Sequence, residues 1–236
     1  MSNLYIVSTP IGNLEDITLR ALRILKEVPV IYCEDTRVSL RLLNHYQIEG
    51  KKLVSFNKEN EGNRIFGLLK TLDAGEDIAL ISDAGTPLVS DPGYELIKKI
   101  FEDGKHTVIP IPGASSLTAV LSSCPINCER FIFEGFFPHG PKQRRRVLKR
   151  LVESNEYPIV FFESPHRLVK TLEDIKNIFG PERKVFIARE ITKKFEQFYF
   201  ATIEELCGAI NKQFIENVQG ELVLVLDIKF ALEEHE

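Results

Sequence analysis

Ile78-Ala-Leu-Ile-Ser-Asp-Ala-Gly-Thr-Pro-Leu-Val-Ser-Asp-Pro-Gly93 decides the fold class. It opens with four apolar residues and turns at once into a loop of Ser, Asp, Gly and Pro. A short continuous apolar run bounded in this way fits a strand covered on both faces, as in a parallel sheet. Leu4–Val7, Val30–Cys33, Leu53–Phe56 and Val108–Ile111 are runs of the same kind. Helical patterns lie between them. Ile17, Ala21, Ile24, Leu25 and Val28 line one helical face, with Asp16 placed to cap that helix. Weaker patterns occupy Ser39–Tyr46, Arg64–Leu72 and Tyr94–Glu102. Five strands alternating with four helices predict a doubly wound α/β domain of about 110 residues.

The small, neutral stretch Gly113–Asn127 reads as a crossing between domains, and the rhythm changes after it. Strands are expected at Phe131–Phe137, Ile159–Phe162, Val185–Ala188, Gln197–Thr202 and Leu222–Ile228, and helices at Lys142–Val152, Leu168–Ile178 and Ile203–Phe214. Only a short turn separates the strands around Ala188 and Phe198, which implies an antiparallel pair in a mixed sheet. The expected division is a parallel-sheet domain over 1–115, a crossing over 116–128 and a mixed-sheet domain over 129–236.

Composition bounds the function. The chain has 236 residues, 44% hydrophobic and 27% charged, with 16 Phe, so it has ample apolar surface for a core. Its net charge is −4, and neither half is basic, which argues against a nucleic-acid binder working by bulk charge. Residues 1–16 lack a basic stretch followed by an apolar one, and no apolar run approaches the roughly 18 residues of a membrane span. Cys33, Cys124, Cys128 and Cys207 are sparse, without paired zinc spacing, and read as reduced thiols of a cytoplasmic protein.

Open α/β sheets bind ligands beyond the carboxyl ends of their strands. Ser8-Thr-Pro-Ile-Gly-Asn13 follows the first strand, Ser82–Gly93 the fourth and Pro110–Ser116 the fifth. Glu163-Ser-Pro-His-Arg167 closes a strand of the second half. Pro and Gly often do no more than end strands. Three such loops on one edge of one sheet point instead to a shared ligand pocket. No two glycines are separated by a single residue, so G-x-G-x-x-G cannot occur. Phosphate-loop, H-E-x-x-H and G-x-S-x-G motifs are also missing.

The motifs S-T-P-I-G-N-L-E-D-I-T-L-R-A-L from Ser8, C-E-D-T-R at 33–37, S-D-A-G-T-P-L-V-S-D-P-G at 82–93 and P-G-A-S-S at 112–116 resemble the bacterial ribosomal RNA small subunit methyltransferase I family. F-E-G-F-F-P at 133–138, E-S-P-H-R-L at 163–168 and A-R-E-I-T-K at 188–193 extend the resemblance to about residue 228. It implies the tetrapyrrole-methylase fold of class III S-adenosylmethionine (AdoMet) enzymes, two α/β domains with the cofactor bound between them. The implied activity is 2′-O-methylation of a cytidine in the decoding region of 16S rRNA, the partner being naked rRNA or the assembled small subunit. A homodimer is implied as well. Many members carry a further small C-terminal domain, whereas this sequence ends in Ala231-Leu-Glu-Glu-His-Glu236, so RNA contacts from such a tail are not expected.

By the same resemblance, Pro10, Asp83, Ala84, Thr86 and Val89 would line one side of the cofactor. Ser115 and Ser116 would offer hydroxyls at a helix start, which favours a carboxylate. Phe162, Ala188 and Glu221 would close the slot from the second domain; as ordinary core residues, Val89, Phe162 and Ala188 would need no ligand. Glu163 is the first candidate base for the 2′-hydroxyl, although it could instead pair with Arg167. Asp35 and Lys194 are the next candidates. No metal is implied.

One stretch departs from the acidic average. Lys142-Gln-Arg144-Arg145-Arg146-Val-Leu-Lys149-Arg150 carries six positive charges and follows Phe136-Phe137. A basic run is usually a solvated face. Beside aromatic residues it reads as a phosphate-contacting patch, which Arg37 and Arg41 would extend. Two other classes stay open: a small-molecule methyltransferase of tetrapyrrole type, and a non-catalytic RNA or ribosome-assembly factor.

Overall fold

The computed structural model describes residues 1–154, 156–209 and 220–228. The chain forms two compact units, Met1–Ser115 and Ser116–Glu236.

The first unit carries β1 (Asn3–Val7), β2 (Val30–Cys33), β3 (Lys52–Ser55), β4 (Ile78–Ile81) and β5 (Thr107–Ile111). They pair in parallel in the order β3-β2-β4-β1-β5. β1 therefore lies between β4 and β5, and the three loops singled out from sequence leave neighbouring strands at one edge. Side chains alternate across the sheet. Leu4 and Ile6 of β1 face α3 (Glu61–Asp73) and α4 (Tyr94–Asp103), while Val7 faces α1 (Leu19–Glu27) and α2 (Thr36–His45). Two buried clusters, one per face, complete the doubly wound form. The α1 face follows expectation, with Ala21, Ile24, Leu25 and Val28 buried. Its cap does not. Thr18 accepts from the Ala21 amide at 3.0 Å, because Asp16 is used in the short 3-10 turn Leu14–Asp16.

The second unit opens with α5 (Ser116–Ser123), a helix inside the stretch read as a crossing. Small residues gave it a weak pattern, since only Val120 is fully buried. β6 (Ile132–Phe136), β7 (Ile159–Glu163), β8 (Lys184–Arg189), β9 (Gln197–Thr202) and β10 (Leu222–Leu226) form a mixed sheet in the order β6-β7-β10-β8-β9. β8 and β9 are antiparallel with Ala188 opposite Phe198. β10 runs antiparallel to both β7 and β8. One face packs on α6 (Pro141–Ser154), α7 (Pro165–Phe179) and α8 (Ile203–Ala209) around Phe161, Leu172 and Leu224. The Ile210–Phe214 part of the helix expected after β9 lies outside the described residues. Among the described residues, no helix is long and apolar enough to cross a membrane.

Candidate cofactor and nucleic-acid sites

The carboxyl edge of the first sheet is a braced assembly of loops. Thr9 and Gly85 exchange backbone bonds of 2.9 and 3.0 Å, joining the loops after β1 and β4. The Ser8 and Thr86 hydroxyls are 2.9 Å apart, and Thr86 donates to the Ala114 carbonyl at 3.2 Å, which ties in the loop after β5. Gly113 passes so close to Ser8 that a Cβ there would lie 2.9 Å from the Ser8 Cβ. Leu88 and Ser90 both take φ of +74°, a strained conformation for such residues. Pro10 is buried beneath this edge, Asp83 and Thr86 are partly open, and Ala84 and Val89 are exposed. Ser115 and Ser116 are half-buried where α5 begins.

In the second unit, register places Phe162 and Ala188 on either side of Val223. Glu221 precedes that strand, so the three predicted residues share one sheet edge. The Glu221 amide donates to Glu190 at 2.9 Å, and the Glu190 amide returns a bond to the Glu221 carbonyl at 3.0 Å. Lys193 bridges the two carboxylates at 2.8 and 3.1 Å. Sequence reasoning missed Glu190 and Lys193. Their signal is the A-R-E-I-T-K turn, where Glu190 and Thr192 both adopt positive φ.

The three candidate bases have different surroundings. The Glu163 side chain is fully buried at the end of β7. Its carboxylate accepts from the Ser164 amide at 2.7 Å, Arg167 Nε at 2.6 Å and the Thr171 hydroxyl at 2.6 Å. That set closes both oxygens, so the structure gives Glu163 the role of a buried ion pair with Arg167. Asp35 caps α2 and is chelated by Arg37, whose bonds hold its carboxyl down at about 2. Lys194 is exposed, its ammonium 5.6 Å from the Phe195 ring centre.

The basic run forms α6, and Arg144 corrects the reading of its surface. Its side chain is 4% exposed and donates from Nε to Asp174 at 2.8 Å. Helical spacing puts Arg144, Leu148 and Leu151 on the buried stripe. Lys142, Arg145, Arg146, Lys149 and Arg150 are exposed, although Arg145 lies 3.5 Å from Asp174 and Arg150 pairs with Glu134 at 2.9 Å. Arg37 and Arg41 are exposed on α2, in the other unit.

Residues 3–207 match the family Tetrapyrrole (Corrin/Porphyrin) Methylases, which fixes the class that fold and edges define. Uroporphyrin III C-methyltransferase from Thermus thermophilus shares the fold, with a TM-score of 0.67 and 21% identity over 95% of this chain and 97% of its own. Ribosomal RNA small subunit methyltransferase I of Thermotoga maritima is 47% identical over 97% of this chain and 100% of its own length. The protein of that name from Mycoplasmopsis pulmonis is 44% identical over 98% and 100%. The chain belongs to the ribosomal RNA small subunit methyltransferase I family of the tetrapyrrole methylases.

Proposed function

We propose that the protein transfers a methyl group from AdoMet to the 2′-hydroxyl of a cytidine in the decoding region of 16S rRNA. The identity of 47% and 44% to relatives named for small-subunit rRNA methylation, over nearly the whole chain, carries this reading. The tetrapyrrole enzymes are similar at 21% or less, which supports the fold alone.

The first unit's edge suits the cofactor. Val89 offers open apolar surface for a purine, Ala84 offers accessible backbone, and the hydroxyls of Ser115 and Ser116 stand at the start of α5, where amides favour a carboxylate. Pro10, Asp83 and Thr86 hold that edge, and Phe162, Ala188 and Glu221 are our candidate cofactor contacts within the second unit. When bound, the cofactor supplies an electrophilic methyl group. The chain's own work is to orient the acceptor, and rigid bracing by Ser8, Thr9 and Gly113 serves that positioning. Lys142, Arg145, Arg146 and Lys149 present a basic face to RNA phosphates, and Arg37 and Arg41 present a second one. We place the enzyme in the cytoplasm as a homodimer acting on rRNA, free or within the small subunit.

Calorimetry with AdoMet tests the enzyme reading. A saturable heat is expected, and a flat titration favours a non-catalytic factor.

A further inference from the structure

An open depression of about 520 Å³ lies at the carboxyl ends of β2, β3 and β4, wholly within the first unit. Its size falls within the roughly 300–1,000 Å³ usual for small-ligand sites. Four carboxylates (Glu34, Asp35, Glu59 and Asp83) and two cations (Arg37 and Lys58) line it. The loops that form it are cross-linked. Asp83 Oδ1 accepts the Asp35 amide at 2.9 Å.

We infer that this depression receives the ribose of the acceptor nucleotide and that Glu34 takes the proton from its hydroxyl. The inference rests on the RNA-methylation reading above. The lining matches a nucleotide in chemistry: carboxylates accept hydrogen bonds from sugar hydroxyls, and exposed Arg37 and Lys58 suit the phosphates on either side. The surroundings of Glu34 also favour its protonated form, as a general base requires. Burial first, then the charges of Asp83 and Asp91, raise its carboxyl above the usual range against the pull of Lys58. Asp83 and Asp91 are themselves raised, chiefly by burial. Asp35, held at about 2 by Arg37, is a far weaker base, and Glu163 is sealed.

The step balances. As the 2′-oxygen's electron pair forms the new O–C bond, the S–C pair stays with the donor sulfur. The hydroxyl proton passes to Glu34, which later releases it to water.

Single-turnover transfer of labelled methyl to small-subunit rRNA, followed against pH, tests the assignment. The unaltered protein should lose rate as pH falls through the raised Glu34 carboxyl. Glu34→Gln should be about 100-fold slower or worse and lack that acid limb. Asp83→Asn removes a repelling charge and should move the limb to lower pH. Cytidine 5′-monophosphate, titrated into the cofactor-free protein, should shift amide resonances of residues 34–37, 55–59 and 83. Methyl transfer by Glu34→Gln within twofold of the unaltered protein at every pH overturns the role of Glu34 and leaves the methylation reading intact. Resonance shifts confined to other residues overturn the subsite, even where a variant fails to fold. No transfer by the unaltered protein overturns the underlying reading, and the inference with it.

Discussion

Glu163 in the second unit and Glu34 in the first both stand where a strand ends, yet their environments are opposite. Glu163 is enclosed by Arg167, Thr171 and the Ser164 amide. Glu34 faces Asp83 and Asp91, and it lines an open depression. The difference teaches that a strand-end carboxylate is chemically available only when its partners leave it lone pairs and proton affinity to use. The same contrast holds among the cations of α6, where Arg144 is sealed against Asp174 while Arg146 points outward.

The largest expected effect is on stability. Glu163→Ala strands the Arg167 guanidinium and the Thr171 hydroxyl beneath the sheet, and breaking a buried pair costs about 3–5 kcal/mol. Urea unfolding measures this. A loss under about 1 kcal/mol, together with a collapse of methyl transfer, would reverse the assignment of roles between the two glutamates.

A smaller effect sharpens the contrast on α6. Charge reversal at Lys142, Arg146 and Lys149 should leave the melting temperature nearly unchanged, weaken rRNA binding about tenfold or more and flatten its salt dependence. Arg144→Glu should instead unfold the helix packing, because it places two carboxylates together in a buried site. Filter binding at several salt concentrations, with parallel melting curves, separates the two outcomes. Equal behaviour of the two substitutions would contradict the division into sealed and open charges.

Much of the architecture is readable from apolar patterning. Val30–Cys33, Ile78–Ile81 and Gln197–Thr202 are strands with the expected bounds, because continuous or alternating apolar runs leave little choice of register. The small, neutral residues of α5 gave no such pattern. The direction of β10 was hidden as well, since pairing with β7 and β8 is a tertiary choice that Leu222–Leu226 does not encode locally. The loop edge of the first sheet emerged because its Gly and Pro positions are conspicuous. Glu34 did not, although it sits inside C-E-D-T-R, because its significance depends on β2 lying next to β4 and so bringing Asp83 and Asp91 close. Arg144 misleads when read with its run of six cations: its spacing to Leu148 and Leu151 marks the buried stripe, whereas its partner Asp174 lies thirty residues later.

The central claim is methylation of a cytidine 2′-hydroxyl in small-subunit rRNA, and mass spectrometry of 16S rRNA nucleosides from cells lacking the gene tests it most directly. Loss of one 2′-O-methylcytidine, restored by the unaltered gene and not by one encoding Glu34→Gln, is the expected result. An unaltered 2′-O-methylcytidine level in the cells lacking the gene would contradict the account.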